Sequence, residues 1–428
     1  MAATETTLTW TPPVYNTSDN PECIHTTNME SELANGDFVR QAKWCPDGSS
    51  ALAQTESGYL QFLNLYELLD VTLATTDGLA PQMPRRQQSG PTVDFAWYPS
   101  ATRRNPASFC FVTSVRECPV KLLDASDGRL RASYKIVDHR ERQIAPHSLA
   151  FNPTATKLYC GFDDAIEVFD LHYPGEGTRL HTTPSKKSRD GLKGIISTIS
   201  FASDISSGVY AAGSLNPSPT MSSNIALFSE TTGETPLMFV GDERDEGFGI
   251  RASAMQVMFN PVQPYLLYAS FRRHGILYCW DVRGDVGVPV RRMSIQKGVS
   301  HARGRESTNQ KLRFDIDLSG KLLAIGDHDG HISMFDLEHE PLDITDTSSP
   351  VLTYTAHEDA IGSAGFHPLH SLLLSVSGSR HFVTGDTSAS EDSDVEELED
   401  IEGTAQVKRS RIGPQPVVLD NSTKLWRF

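Results

Sequence analysis

Seven apolar segments, each closed by an aromatic residue, recur along the chain at nearly even spacing, and this phasing restricts the possible folds more than any other feature. The anchors are Trp44, Trp97, Phe151, Phe201, Phe259, Phe314 and Phe366, at intervals of 53, 54, 50, 58, 55 and 52 residues. Self-similarity at a fixed period marks a fold built from repeated supersecondary units. The most complete copy is 255–283. Its apolar runs at Val257–Phe259, Leu266–Ala269 and Ile276–Trp280 are separated by Asn260-Pro261 and by Arg272-Arg273-His274-Gly275. Short antiparallel strands joined by tight turns are written this way.

The other units repeat the same parts. Lys43-Trp-Cys-Pro-Asp-Gly48, Ala150-Phe-Asn-Pro153, Met258-Phe-Asn-Pro261 and Gly365-Phe-His-Pro368 all end the first run in the same kind of turn. The third run recurs as Val168-Phe-Asp-Leu171, Tyr278-Cys-Trp-Asp-Val282 and Met334-Phe-Asp-Leu337. A bare WD-repeat blade takes about 40–45 residues, so each unit here carries a loop insertion. The sequence therefore predicts an all-β fold, a seven-bladed WD-repeat β-propeller. Four segments are expected: 1–36 supplying a closing strand, 37–383 forming blades 1–7, 384–416 as a disordered acidic insert, and 417–428 as the closing strand of the last blade. The last unit ends at Thr423-Lys-Leu-Trp-Arg-Phe428 with no fourth strand. A ring of blades must pair its open edge, so the missing strand is expected from within Leu8–Asn28.

Composition narrows the function classes. With 38% hydrophobic and 21% charged residues the chain is of ordinary globular type, and no apolar run approaches the ~18 residues of a membrane span. Met1–Trp10 has no basic region followed by an apolar one, so no secretory signal is read. Cys23, Cys45, Cys110, Cys118, Cys160 and Cys279 form no C-x-x-C pair, and reduced thiols in a cytosolic or nuclear protein are expected. Net charge is −16, but Asp386, Glu391, Asp392, Asp394, Glu396, Glu397, Glu399, Asp400 and Glu402 share one tract. Removing these nine leaves −16 + 9 = −7 for the rest. Ser388 and Ser393 in that tract each have Glu three residues on, as acidophilic kinases prefer, and are candidate phosphorylation sites.

Catalytic signatures are missing from the sequence. There is no P-loop, no G-x-S-x-G elbow and no H-E-x-x-H, and no nucleophile, base and orienter assemble in it. His328-Asp-Gly-His331 has metal-ligand residue types, but its Asp-Gly falls where a blade needs a turn between its second and third strands. His147 and His357 precede first strands, where a histidine can hydrogen-bond within the blade. The expectation is a chain that is not an enzyme, with no cofactor, no metal and no small-molecule substrate.

Charge sorted by face points to a partner. Loops entering the first strand and loops joining the second and third strands open on one face, the top. That face collects Arg116, His139, Arg140, Arg142, Lys186, Lys187, Arg189, Lys193, Arg272, Arg273, His274, Arg303, Arg305, Lys311 and Arg380. Acidic residues such as Asp124, Asp170, Asp281 and Asp336 fall on the other face. Such a dipolar disc attracts phosphates despite the net negative charge. Phe162 in the loop Gly161–Asp164 is expected to stack on an unpaired base. The candidate RNA-binding set is Arg116, Arg140, His147, Phe162, Lys186, Lys187, Arg272, Arg273, Lys311 and Arg380.

Several motifs are not generic to such propellers. Arg131-Ala-Ser-Tyr134, Ala145-Pro-His-Ser-Leu-Ala-Phe151, Leu158-Tyr-Cys-Gly-Phe162, Lys186-Lys187 with Gly194-Ile-Ile-Ser197, and Thr308-Asn-Gln-Lys-Leu-Arg-Phe-Asp-Ile-Asp317 resemble, in order and spacing, the telomerase Cajal body protein family of WD-repeat proteins. The resemblance spans about 36–382 and the closing strand. It implies a non-catalytic RNA-binding scaffold of the nucleus. Family members recognise a short box in the terminal loop of small Cajal body RNAs and telomerase RNA, and fungal relatives are associated with small nuclear ribonucleoproteins and pre-mRNA splicing. Against the animal pattern, this sequence has no long N-terminal extension and a longer Pro/Ser-rich loop at Asn216–Asn224. The expected partner is thus a small nuclear or small Cajal body RNA with its ribonucleoproteins, bound by a monomer in the nucleus, Cajal body or nucleoplasm, with the cytoplasm as a second location. The alternative from another class is a WD-repeat adaptor that binds acidic or phosphorylated peptide segments, because carboxylate and phosphate call on the same arginine chemistry.

Overall fold

Each of the seven anchors lies in a strand that faces a central channel. The structure, a computed structural model, describes residues 11–28, 36–69, 85–185, 187–188, 190–216, 224–241, 252–295, 309–339, 347–382 and 416–428. The acidic tract with Ser388 and Ser393 lies outside the described residues, as do Lys186, Arg189, Arg303 and Arg305. Seven four-stranded antiparallel units form the blades. Their innermost strands are Val39–Trp44, Thr92–Trp97, Ser148–Phe151, Ile196–Phe201, Ala254–Phe259, Phe314–Ile316 and Ile361–Phe366.

Register corrects one anchor. In six blades the anchor aromatic pairs with the second residue of the next strand, as Trp44 does with Ala51 and Phe259 with Leu267. In the sixth blade that place belongs to Ile316, which pairs with Leu323, while Phe314 pairs with Ile325. Phe314 is therefore two residues too early. A shift of two preserves the apolar alternation of a strand, which is why an aromatic alone misplaces the unit.

The blades adhere through apolar faces. Seven clusters of buried side chains are found among the described residues, one at each boundary between neighbouring blades. The stretch 255–283 supplies Trp280, 1% exposed, to the boundary of the fourth and fifth blades. Burying a large side chain contributes about 2–3 kcal/mol, so Trp280-Asp281 serves the scaffold.

Closure occurs as the sequence requires. Glu22–Asn28 pairs antiparallel with Ser422–Arg427, which itself pairs with Leu372–Ser377 of the seventh blade. Tyr15 fastens the segment further: it is 8% exposed, packs edge-on against Phe366 at 4.8 Å and donates its hydroxyl toward the carbonyls of His367 and His370. One strand is additional to the four-stranded pattern. Thr347–Ser348 runs parallel to Arg291–Ser294 at the outer edge of the fifth blade. His381–Phe382 and Pro416–Val417 pair at the base of the acidic insert.

His357 is held inside the seventh blade. His357 bonds through Nδ1 with Ser422 at 3.0 Å and through Nε2 with Ser375 at 2.7 Å, and Ser375 also accepts the indole N–H of Trp426 at 2.8 Å. Asp420 completes this chain at 3.2 Å from Nδ1. Gly330 of the His-Asp-Gly-His segment has φ 86°, a left-handed turn conformation that suits glycine. His331 turns back on Asp327 at 3.2 Å, and among the described residues no group of His, Cys, Asp and Glu has metal-site geometry.

Candidate nucleic-acid interface

A ring of polar side chains lines the channel, three residues before each anchor. They are Gln41, Asp94, Ser148, Thr198, Gln256, Arg313 and Ser363, counted from Ile316 in the sixth blade. Most bridge to the next blade. Asp94 accepts the backbone N–H of Leu149 at 3.0 Å, Thr198 that of Val257 at 3.1 Å and Ser363 that of Ala42 at 2.9 Å. Gln256 both donates to the carbonyl of Phe314 and accepts its N–H. Ser148 donates to the carbonyl of Ile196. These bonds satisfy backbone groups that the channel would otherwise leave bare.

Positive charge gathers where this ring meets the top face. Lys43 Nζ is 3.2 Å and Arg313 Nη2 3.5 Å from the same oxygen of Asp94. Burial opposes ionisation of Asp94, but Lys43, Arg313 and Lys311 outweigh it and hold the carboxyl at about 2. Lys311 donates to the carbonyl of Ser197 at 2.7 Å. Burial, then Arg313 and other neighbouring cations, lowers its pKa to about 7. Arg40 sits on a bulge between Val39 and Gln41, a device that re-aims side chains. Its guanidinium is 3.2 Å from Glu56, whose other oxygen holds Arg380. Arg40, Gln41, Gln54, Val93, Gln310, Lys311 and Arg313 line a small recess open to solvent.

The candidate residues divide into three groups. Arg116, Arg140, Lys187 and Arg273 are exposed in top-face loops, and Arg272 beside them is half-buried. Arg273 adopts φ 54° and Glu117, next to Arg116, φ 60°, conformations uncommon for non-glycine residues. His147 and Lys311 face the channel mouth. The His147 ring is half-buried, and burial, Lys311 and Arg116 all lower its pKa. Its backbone N–H, rather than its ring, joins it to the blade, through the carbonyl of Gly161 at 2.7 Å.

Of the remaining two, Phe162 does not fit the role expected of it, and Arg380 is an exposed side chain paired with Glu56. Phe162 is the last residue of a strand, 4% exposed, with its ring in the core between the second and third blades and the Arg179 guanidinium 5.1 Å from its centroid. A ring packed on both sides has no face left for a base. The Glu56 pairing partly neutralises the charge of Arg380. Conversely, Arg40, Lys43 and Arg313 are hidden in sequence because they lie in or next to innermost strands, whereas blade topology sorts only loop charges by face. The polar residue repeated three positions before each anchor is the signal that finds this wall.

No protein-family model matches the chain. It is 30% identical over 369 residues to telomerase Cajal body protein 1 of Mesocricetus auratus, covering 86% of this chain and 63% of the relative. For the human protein of the same name the identity is 30% over 375 residues, 86% of this chain and 62% of the relative. Guanine nucleotide-binding protein negative regulator 1 of Schizosaccharomyces pombe is 28% identical over 304 residues, 69% of each. The chain thus spans less than two thirds of the length of the mammalian proteins it matches. Through most of its own length, this propeller is similar in sequence to the telomerase Cajal body proteins.

Proposed function

We propose that this chain is a non-catalytic, RNA-binding scaffold of small nuclear ribonucleoproteins, holding a structured small nuclear or small Cajal body RNA on its top face. The carrying observation is the convergence of basic residues from several blades on one face. Arg116, Arg140, Lys187, Arg272 and Arg273 project from loops, while Lys311, Arg313, Arg40 and Lys43 crowd the channel mouth, where Asp94 and Glu56 pair with some of them. Loop arginines and lysines at several heights around a rim suit phosphates along a folded backbone, which is how RNA is held by shape. The relatives' names place those proteins with telomerase and Cajal bodies, and on that basis we place this chain in the nucleus. Crosslinking in cells followed by sequencing of the bound RNA tests the reading: enrichment of small nuclear RNAs supports it, and recovery of protein partners alone rejects it.

A second reading rests on the fission-yeast relative, whose name describes a regulator of a guanine nucleotide-binding protein. In it, the same rim docks an acidic or phosphorylated peptide. The same crosslinking experiment separates the two.

A further inference from the structure

The channel mouth differs from the rim in a way that points to its own ligand. Rim arginines are exposed and spaced along loops. At the mouth, cations from the first and sixth blades enclose a recess. Glu56 pairs with Arg40 and Arg380, and the charges that remain do not cancel. Asp94 is already shared by Lys43 and Arg313 through one oxygen, and its other oxygen takes the Leu149 N–H. Lys311 has only a carbonyl, that of Ser197, as its hydrogen-bond partner among the described residues. A half-buried ammonium beside two guanidinium groups and a second ammonium, with no carboxylate of its own, is an unfavourable arrangement. It becomes favourable when an anion enters.

We propose that the recess lined by Arg40, Gln54, Gln310, Lys311 and Arg313 is a discrete binding site for one tetrahedral phosphate dianion, such as free phosphate or the terminal phosphate of an RNA. The recess is small and open to solvent, and its lining is polar and basic apart from Val93, which suits a single small charged group rather than a drug-sized ligand. Arginine guanidinium groups bind phosphate oxygens in pairs, and a lysine adds a point charge. The charged groups that face Lys311 are at hand: Arg313, Asp94, Lys43 and Arg40 bear on its ammonium, and His147 stands within reach of its charge. A dianion among them favours the protonated ammonium, so binding above neutral pH takes up a proton. The site lies within the face assigned above to RNA, but its first test involves no RNA, so the two readings fail separately.

Sulfate is the probe, because it is a tetrahedral dianion that does not itself titrate near neutrality. Calorimetry on the full chain, in buffers of different ionisation enthalpy, should show millimolar or tighter sulfate binding with uptake approaching one proton per sulfate at pH 8. The share of the uptake due to Lys311 should vanish near pH 6, where that ammonium is already charged, and any uptake at pH 6 that persists in Lys311→Met belongs to His147. Lys311→Met should weaken sulfate at least tenfold and abolish the uptake at pH 8, Arg40→Gln should weaken it several-fold, and Arg129→Gln, in the turn between the third and fourth strands of the second blade beside Asp124 and Asp127, should leave it unchanged. The proton-uptake measurement uses the unaltered protein and so remains decisive if a variant fails to fold. Binding without proton uptake, or equal binding by Lys311→Met, overturns the site. A second arm compares one short oligoribonucleotide with a 5′-phosphate or a 5′-hydroxyl. A tenfold preference for the phosphate assigns RNA ends as the source, and equal binding alongside retained sulfate affinity assigns free phosphate.

Discussion

Lys43 Nζ and Asp94 Oδ1 stand 3.2 Å apart across the boundary of the first two blades, with Asp94 only 4% exposed. The pair joins the inner walls of two blades, and Arg313 joins it from a third. Asp94→Asn removes the charge that both cations face while keeping an acceptor for Leu149. Breaking a buried pair in this way costs about 3 kcal/mol, read as a fall in the denaturant midpoint at pH 7. The sign with pH follows from the depressed carboxyl. Its contribution is complete above about 4 and is lost as pH falls toward about 2. The variant should therefore show a shallower loss of stability over that window than the unaltered chain.

Ser375 links His357 to Trp426 in the seventh blade and is fully buried. Ser375→Ala leaves a ring nitrogen and an indole N–H without their shared partner. Each buried unsatisfied group costs ~1–3 kcal/mol, so a loss of about 2 kcal/mol is expected in chemical denaturation. Near-unchanged stability would show that the chain of bonds contributes little.

Removing residues 1–28 takes away the outer strand Glu22–Asn28 and the Tyr15 anchor. The unpaired edge at Ser422–Arg427 then becomes a template for pairing with another chain. Light scattering should show concentration-dependent association, and limited proteolysis should cut the seventh blade faster. A monomer with unchanged melting would contradict closure by this segment.

Arg272→Glu with Arg273→Glu, and Lys186→Glu with Lys187→Glu, test the rim. Each phosphate that is no longer neutralised should flatten the slope of log affinity against log salt by ~0.7–0.9. Affinity should fall alike for different RNA sequences, because phosphate contacts carry no sequence information. Filter binding of a small nuclear RNA across salt gives both quantities, and unchanged slopes in both variants would remove this face from the RNA reading.

Much of the architecture was legible because strand spacing and turn chemistry are local. Asn260-Pro261 and His367-Pro368 mark turns whatever surrounds them, and seven phased copies leave few folds open. The outer edge of Ser422–Arg427 pairs with Glu22–Asn28, inside the N-terminal span expected to close the ring. Loop residues such as Arg116 and Arg273 could be assigned to the top because a blade's topology dictates where its turns open.

Which charges meet could not be read in the same way. Arg40, Asp94 and Arg313 come from three separate units, far apart in sequence, and only closure of the ring brings Lys43 and Arg313 onto one carboxylate oxygen. Phe162 and Ile316 show the same limit at a smaller scale: one ring is hidden by a neighbouring blade, and one anchor is set by pairing with Leu323. Sequence by itself determined the repeat, its strands and its turns, because those follow from local backbone and side-chain preferences. Tertiary structure alone decided burial, register and charge pairing at the channel mouth, because these depend on distances between blades that no local pattern encodes.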